Sequence, residues 1–352
     1  MTHGHAHPHP GGDDHVHPHV PVDRRTVLRS GAAALGALLL WGCDSGSGPA
    51  VSPSTGGSST SAGGSSTSTA SSTAAAPAGT LAGFEAFAAT VKAFRQGDTW
   101  LVESTGMPAH ALMIGIRSWQ QQVPVPQPYT GANAWRIPAV PRLADKPVSA
   151  RTGLYRGAIA LAVNGVPIFN ALNNRGDDAF LAGELDDFGG HAGRADDYHY
   201  HLAPLHLQAL VGAGRPIAYA LDGFPIYGTA EPDGSAVGPL DELNGHVGAD
   251  GGYHYHGTTT YPYLNGGLRG VVTVAGDQVE PQPTTTPFRP AGEPLRGATI
   301  TGFDSAGSGR YRLDYTVGGA TLRVDYVVAA TEARFTFTDA SGATRTETYQ
   351  RR

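Results

Sequence analysis

Two stretches of this chain repeat each other and decide how the rest is read: Leu185 to His201, LDDFGGHAGRADDYHYH, and Leu240 to His256, LDELNGHVGADGGYHYH. They align without a gap at an offset of 55 residues. Each opens on Leu-Asp and an acidic residue, passes through Gly-His with a second Gly two positions on, and closes on Tyr-His-Tyr-His. Upstream, Ile159 to Phe169 (IALAVNGVPIF) matches Ile217 to Tyr227 (IAYALDGFPIY) at an offset of 58. Each of these carries a turn dipeptide, Asn164-Gly165 or Asp222-Gly223, behind a short apolar run, which is the pattern of a strand entering a hairpin. The reading is a duplicated unit of roughly fifty residues, with repeats at about 158–206 and 216–262. Two copies predict a pseudo-symmetric pair, because a solenoid needs at least about three.

An extended Tyr-His-Tyr-His segment points both imidazoles to one face and both phenols to the other. Same-face neighbours lie about 6.6 Å apart along a strand, a gap two imidazoles can close around one ion at about 2.0–2.1 Å. Beyond an N-terminal tract that holds seven histidines, eight remain, and six occupy equivalent positions of the repeats: His191, His199, His201, His246, His254 and His256. Asp186 and Asp241 each stand five residues before the first histidine of their repeat, as candidate carboxylate ligands. Imidazoles with a carboxylate and no thiolate suit zinc or copper, whereas calcium and magnesium take oxygen shells. Either each repeat holds its own ion or the two His-x-His pairs converge on one. The rival is a Tyr/His ladder that only stabilises paired strands. Asn164 and Asp222 are turn-formers first, and Asp222 is also a candidate base or a carboxylate behind a ligating imidazole. Tyr198, Tyr200, Tyr253 and Tyr255 would support the ligands from behind. His206, outside the repeated pattern, reads as a residue on a helix surface.

Composition narrows the class. The formal charge is −6 with 15% charged residues, which argues against a nucleic-acid partner. Abundant Gly (49) and Pro (26) point to turns and short strands. The single cysteine, Cys43, has no intramolecular partner. It follows Asp23 to Arg29 (DRRTVLR), which resembles a twin-arginine export signal, and a short apolar run from Gly31 to Leu40. Leu39 to Cys43 resembles a lipobox. Residues 1–42 are therefore read as a Tat/lipoprotein signal peptide, and the thiol of Cys43 as a lipidation site. The expected mature protein is anchored outside the cytoplasm, in the periplasm or on the cell surface, and the His-rich start has no role in it.

Residues 43–80 are a Ser/Gly/Thr-rich linker without an apolar pattern. Leu81, Phe84, Phe87, Val91 and Phe94 recur at helical spacing and predict an amphipathic helix closed at Gly97. Strands are expected at Trp100 to Glu103, Ala111 to Ile116 and Arg269 to Val274, proline-rich coil from Val123 to Pro147, and a helical turn from Leu205 to Val211. After a linker at 279–294, alternating Tyr311, Leu313, Tyr315 and Val317, then Leu322, Val324 and Tyr326, predict a small antiparallel β-meander over 295–352. The fold class is mainly β, a β-rich α+β chain, with a repeat-bearing domain at 81–278 and the meander as a structural or binding module.

Taken together, both YHYH motifs, LDGFPIYG at Leu221 to Gly228, WQQQVPVPQ at Trp119 to Gln127, Gly-Met-Pro-Ala-His ending at His110, and Tyr261-Pro-Tyr263 followed by Arg269-Gly270 resemble the YHYH-domain family. The resemblance covers about Trp100 to Val274 and leaves out the meander. It implies an extracytoplasmic bacterial protein of unassigned activity, and it places His110 with the repeat histidines as a candidate metal residue. The expectation is an exported, lipid-anchored protein binding zinc or copper. Its alternatives are a metal-dependent hydrolase or oxidase, and a structural module that binds a cell-envelope partner. No Gly-x-Ser-x-Gly elbow, phosphate loop or His-Glu-x-x-His helix supports another chemistry.

Overall fold

The computed structural model describes residues 79–351. The expected export signal, the His-rich tract, Cys43 and all but the last two residues of the expected linker lie outside the described residues. No helix among the described residues is long and apolar enough to cross a membrane.

The chain is β-rich. Its strands are β1 (Lys92–Gln96), β2 (Thr99–Glu103), β3 (Trp135–Pro138), β4 (Leu143–Ser149), β5 (Ala158–Ala162), β6 (Pro167–Phe169), β7 (Gly190–Ala192) and β8 (Tyr198–Tyr200). After one short helix, α1 (Gln208–Val211), come β9 (Ala218–Ala220), β10 (Pro225–Tyr227), β11 (Gly245–Val247), β12 (Tyr253–His256), β13 (Gly267–Gly270), β14 (Thr273–Ala275) and β15 (Gln278–Glu280). The last five, β16 (Ala298–Gly307), β17 (Arg310–Val317), β18 (Ala320–Val328), β19 (Glu332–Thr338) and β20 (Thr344–Gln350), form an antiparallel meander in chain order.

Eight short strands make the central sheet, in the order β11-β12-β10-β9-β5-β6-β8-β7. From the middle outward, both halves run hairpin, parallel YHYH strand, then Gly-His strand. At the centre β5 and β9 are antiparallel with Leu161 opposite Tyr219, which are themselves equivalent at the 58-residue offset. Ile168 pairs with Tyr200 on one side and Ile226 with Tyr255 on the other. The apolar runs AIALA and AYA are buried on both faces and so stand in the middle, whereas the polar histidine strands are consigned to the flanks.

The recurring Gly-His has a steric cause. At Gly190 a Cβ would fall 2.5 Å from the Tyr198 hydroxyl and 2.7 Å from the His199 carbonyl, and Gly245 meets Tyr253 in the same way. Only glycine lets the phenol cross the neighbouring strand.

Several expectations need correction. Leu81 to Phe94 is one 3-10 turn, Phe84–Phe87, followed by a strand. Gly97 (φ 60°) turns the β1–β2 hairpin, with Gln96 opposite Thr99, and caps no helix. Ala111 to Ile116 is no strand: Met113 (φ 68°) and Gly115 (φ 92°) bend it, and the Met113 amide donates to Asp186 at 2.8 Å. The expected coil at 123–147 contains β3 and most of β4, whose prolines are tolerated because β3 is an edge strand and β4 has a single partner.

The meander packs on the segment WQQQVPVPQ. Tyr315 meets the Trp119 ring edge-on at 4.8 Å, and Tyr326 donates to the Pro124 carbonyl at 2.7 Å. Beneath it, Arg289 forks onto Asp196 with two bonds of 2.8 Å, both side chains buried. Burial pushes the Asp196 carboxyl up and the guanidinium pulls it back. The described residues all fall in one compact unit, and a single apolar core runs from Leu81 to Phe335.

Candidate metal centres

The flanking strands bring the repeat histidines together in two separate groups: His191, His199 and His201 in one, and His246, His254 and His256 with Glu231 in the other. β7 and β8 place His191 opposite His199, and β11 and β12 place His246 opposite His254. Five strand spacings lie between β8 and β12, roughly 24 Å, so the two pairs cannot share an ion. Within each group the ligand atoms all lie within 4.8 Å of one another.

Hydrogen bonds fix which nitrogen three of the six rings present. A carbonyl only accepts, so a ring nitrogen bound to one carries the proton. His199 Nδ1 donates to the Asp197 carbonyl at 3.0 Å, His201 Nδ1 to that of Asn170 at 2.5 Å, and His256 Nδ1 to that of Gly228 at 2.9 Å. Each of these rings therefore offers a bare Nε2 to the group. Anchoring the far nitrogen on a carbonyl is how proteins orient metal-binding imidazoles. In the first group the Nε2 atoms of His191 and His201 are 3.1 Å apart, and Phe169 stacks on His199 at 3.9 Å. In the second, the Nε2 atoms of His246 and His254 are 3.0 Å apart, and Glu231 reaches them at 3.0 and 3.1 Å. His256 Nε2 is fully buried and has no hydrogen-bond partner; the nearest Glu231 oxygen is 3.7 Å away. Bonds of about 2.0–2.1 Å in a tetrahedral shell set ligand atoms about 3.3 Å apart, so these separations fit a first-row ion.

The electrostatics agree. Burial drives the His191 imidazole well below its ordinary value, with His199 and His201 adding to the effect. His201 falls to about 3, by burial and the neighbouring His199. His256 is lowered by burial against a smaller pull from the Gly228 carbonyl. For Glu231 burial works upward, but the Gly238 amide and the His256 and His246 rings hold the carboxyl below its usual range. At neutral pH these groups are neutral imidazoles and a carboxylate, the forms that bind metal.

The other proposed site residues sit elsewhere. Asp186 and Asp241 are not in either group. Asp186 accepts from the Tyr198 hydroxyl and the amides of Met113, Phe188 and Gly190, and Asp241 from the Tyr253 hydroxyl and the amides of Leu243 and Gly245. They hold tyrosines and turns on the opposite face. Asp222 accepts from the Phe224 amide, the Tyr255 hydroxyl at 2.6 Å and the Gly270 amide at 2.8 Å, and touches no imidazole. Asn164 donates to the Tyr200 hydroxyl at 3.0 Å. All four tyrosines thus secure the YHYH strands from behind. His110 also lies behind: its Nε2 meets the Tyr200 hydroxyl at 2.7 Å, its Nδ1 donates to the Ala111 carbonyl at 2.7 Å, and its ring stacks on Phe188. His206 sits on a helical turn as expected but is half-buried. It packs edge-on against His110 at 5.1 Å, and burial lowers it to about 4.

Sequence reasoning missed Glu231. It lies in the turn after β10, outside the stretch whose histidines repeat, and the equivalent residue of the other half is Asn173. The one available signal was an acidic residue four positions beyond LDGFPIY, where the other half has Asn173.

Fold and site define a β-rich protein whose paired strands carry two histidine groups able to hold metal ions. Residues 134–236 match the family model described as YHYH protein, so the chain carries a YHYH domain. The match runs from the segment before β3 past β10; it includes the first YHYH strand and stops short of the second. No curated protein and no solved structure matches the chain.

Proposed function

We propose that this is an exported, lipid-anchored protein that binds two transition-metal ions, zinc or copper, one in each half of the central sheet. The observation that carries the reading is the convergence of imidazoles whose far nitrogens are tied to carbonyls, with His256 Nε2 buried and otherwise without a partner. A Tyr/His ladder would leave that nitrogen uncompensated, at a cost of about 1–3 kcal/mol. A bound ion removes the deficit. The matching order and register of the two half-sheets support their origin as duplicate copies.

Elemental analysis of protein purified without added metal, beside the His199→Ala/His254→Ala double variant, tests the proposal. About two ions per wild-type chain and close to none in the variant are expected from the two groups. Equal, near-zero occupancy in both sinks it. Anchoring is tested separately. Cys43→Ala should release the protein from membranes, and wild-type protein found entirely in the soluble fraction would remove the anchor. The His-rich start and the signal both precede Cys43, and the exported form would lack them.

A further inference from the structure

We infer that the two centres are unequal: the first, on His191, His199 and His201, keeps an open coordination position that takes an anion from solution, while Glu231 closes the second. This rests on the metal reading proposed above and goes further by assigning each half its own chemistry.

The difference lies at one equivalent position. After β6 and β10 the chain makes the same turn twice, bridging Leu172 to Asp178 and Ala230 to Ala236. Asn173 and Glu231 occupy the same place in it, their amides donating to the carbonyls of Asp177 (2.8 Å) and Ser235 (3.0 Å). Glu231 turns its carboxylate onto the imidazoles. Asn173 is committed elsewhere: its Oδ1 accepts from the amides of Arg175 and Asp177, and its Nδ2 donates to Glu184 at 3.2 Å. The carboxylate nearest the first group, Asp197, stands at the wrong side of the ring, 3.5 Å from Nδ1 of His199 and not before its Nε2. The first group thus has three nitrogen donors and no carboxylate.

That group also lines a cavity of about 850 Å³, whose wall sets Arg156, Arg175 and Arg194 beside Glu184, Asp277 and Glu280; Arg175 is already paired with Asp177 and Glu184, so the ion's own charge, not the wall, is what would draw an anion. The second group borders a smaller hollow of about 350 Å³. Exposure therefore does not separate the sites; donor count and charge do. Three neutral imidazoles leave the full double charge of a divalent ion, and Glu231 halves it at the other centre. Three protein ligands with a free position is the arrangement of reactive zinc sites, and four is that of structural ones. The open position favours an anionic donor, hydroxide being the one water supplies when a metal lowers its pKa.

Azide is the probe. Copper(II) is loaded into the full chain carrying His254→Ala, which keeps the first centre, and into the chain carrying His199→Ala, which keeps the second. Azide-to-copper charge transfer and electron paramagnetic resonance follow the titration. Azide should bind the first centre at least about tenfold tighter, and adding Glu231→Gln to the His199→Ala chain should let azide into the second. Equal or tighter azide binding at the second centre overturns the inference. So does copper held at the first centre with no response to azide. Failure of both chains to take up copper would instead refute the metal reading, and the inference with it.

Discussion

Acidifying the metal-stripped protein gives a perturbation whose size follows from one residue. His201 is buried, and its folded-state value lies near 3 against an ordinary 6.5. The sign is that of a depressed base: stability is present above the unfolded value and is lost as pH falls below about 6.5, because the unfolded chain gains a proton that the folded one refuses. Between pH 7.5 and 4.5 this single imidazole removes roughly 2.6 kcal/mol, because each pH unit in which only the unfolded chain is protonated costs about 1.36 kcal/mol. His191 and His256, lowered in the same direction, add to the loss. Buried Asp186, Asp196 and Asp222 oppose it at the acid end, since their raised values favour the folded state as they protonate. A His201→Gln variant isolates the contribution, because the carboxylates act equally in both proteins. Thermal melts of chelator-treated wild type and variant across this range should show the wild type losing the extra amount, roughly 2.6 kcal/mol or about 5–10 °C for a chain of this size. Parallel pH profiles would refute the claim that His201 is held as a neutral ligand.

Glu231→Gln should weaken the second centre by on the order of 10–100-fold while leaving the first unchanged, read by metal competition titration. Asp222→Ala strips the acceptor from the Tyr255 hydroxyl and the Gly270 amide; chemical denaturation should record a loss of about 1–3 kcal/mol for each orphaned donor, with metal stoichiometry retained. Arg289→Met leaves Asp196 buried without its guanidinium, and should cost about 3–5 kcal/mol, with the loss smaller at pH 4 than at pH 7 because the carboxyl can then protonate. Gly190→Ala should displace Tyr198 from Asp186, measurable as lost near-ultraviolet dichroism and a lower melting temperature.

The fold class was legible because short strands announce themselves by turns and alternation. Asn164-Gly165, Asp222-Gly223 and the alternating Tyr311 to Val317 all lie where strands bend or run. The helix expected over Leu81 to Phe94 failed because its spacing holds for one turn only, after which Gly97 pairs the chain back on itself. The six histidines that gather on the flanking strands were legible from their repetition, yet the partition into two groups was not, since it depends on where β8 and β12 fall in the strand order. Asp186 and Asp241 looked like ligands because they repeat too. Their repetition serves Tyr198 and Tyr253. Glu231 escaped because its counterpart in the other half, Asn173, is not acidic, and the seating of Tyr315 and Tyr326 on Trp119 to Gln127 joins residues about 200 positions apart, beyond any local pattern.

Anomalous diffraction from crystals of the protein as isolated, collected on either side of the zinc and copper absorption edges, tests the central claim most directly. Two peaks are expected, one bounded by Nε2 of His199 and His201 with His191, the other by His246, His254, His256 and Glu231. Featureless density at both positions, or a single metal seated elsewhere in the chain, would contradict it.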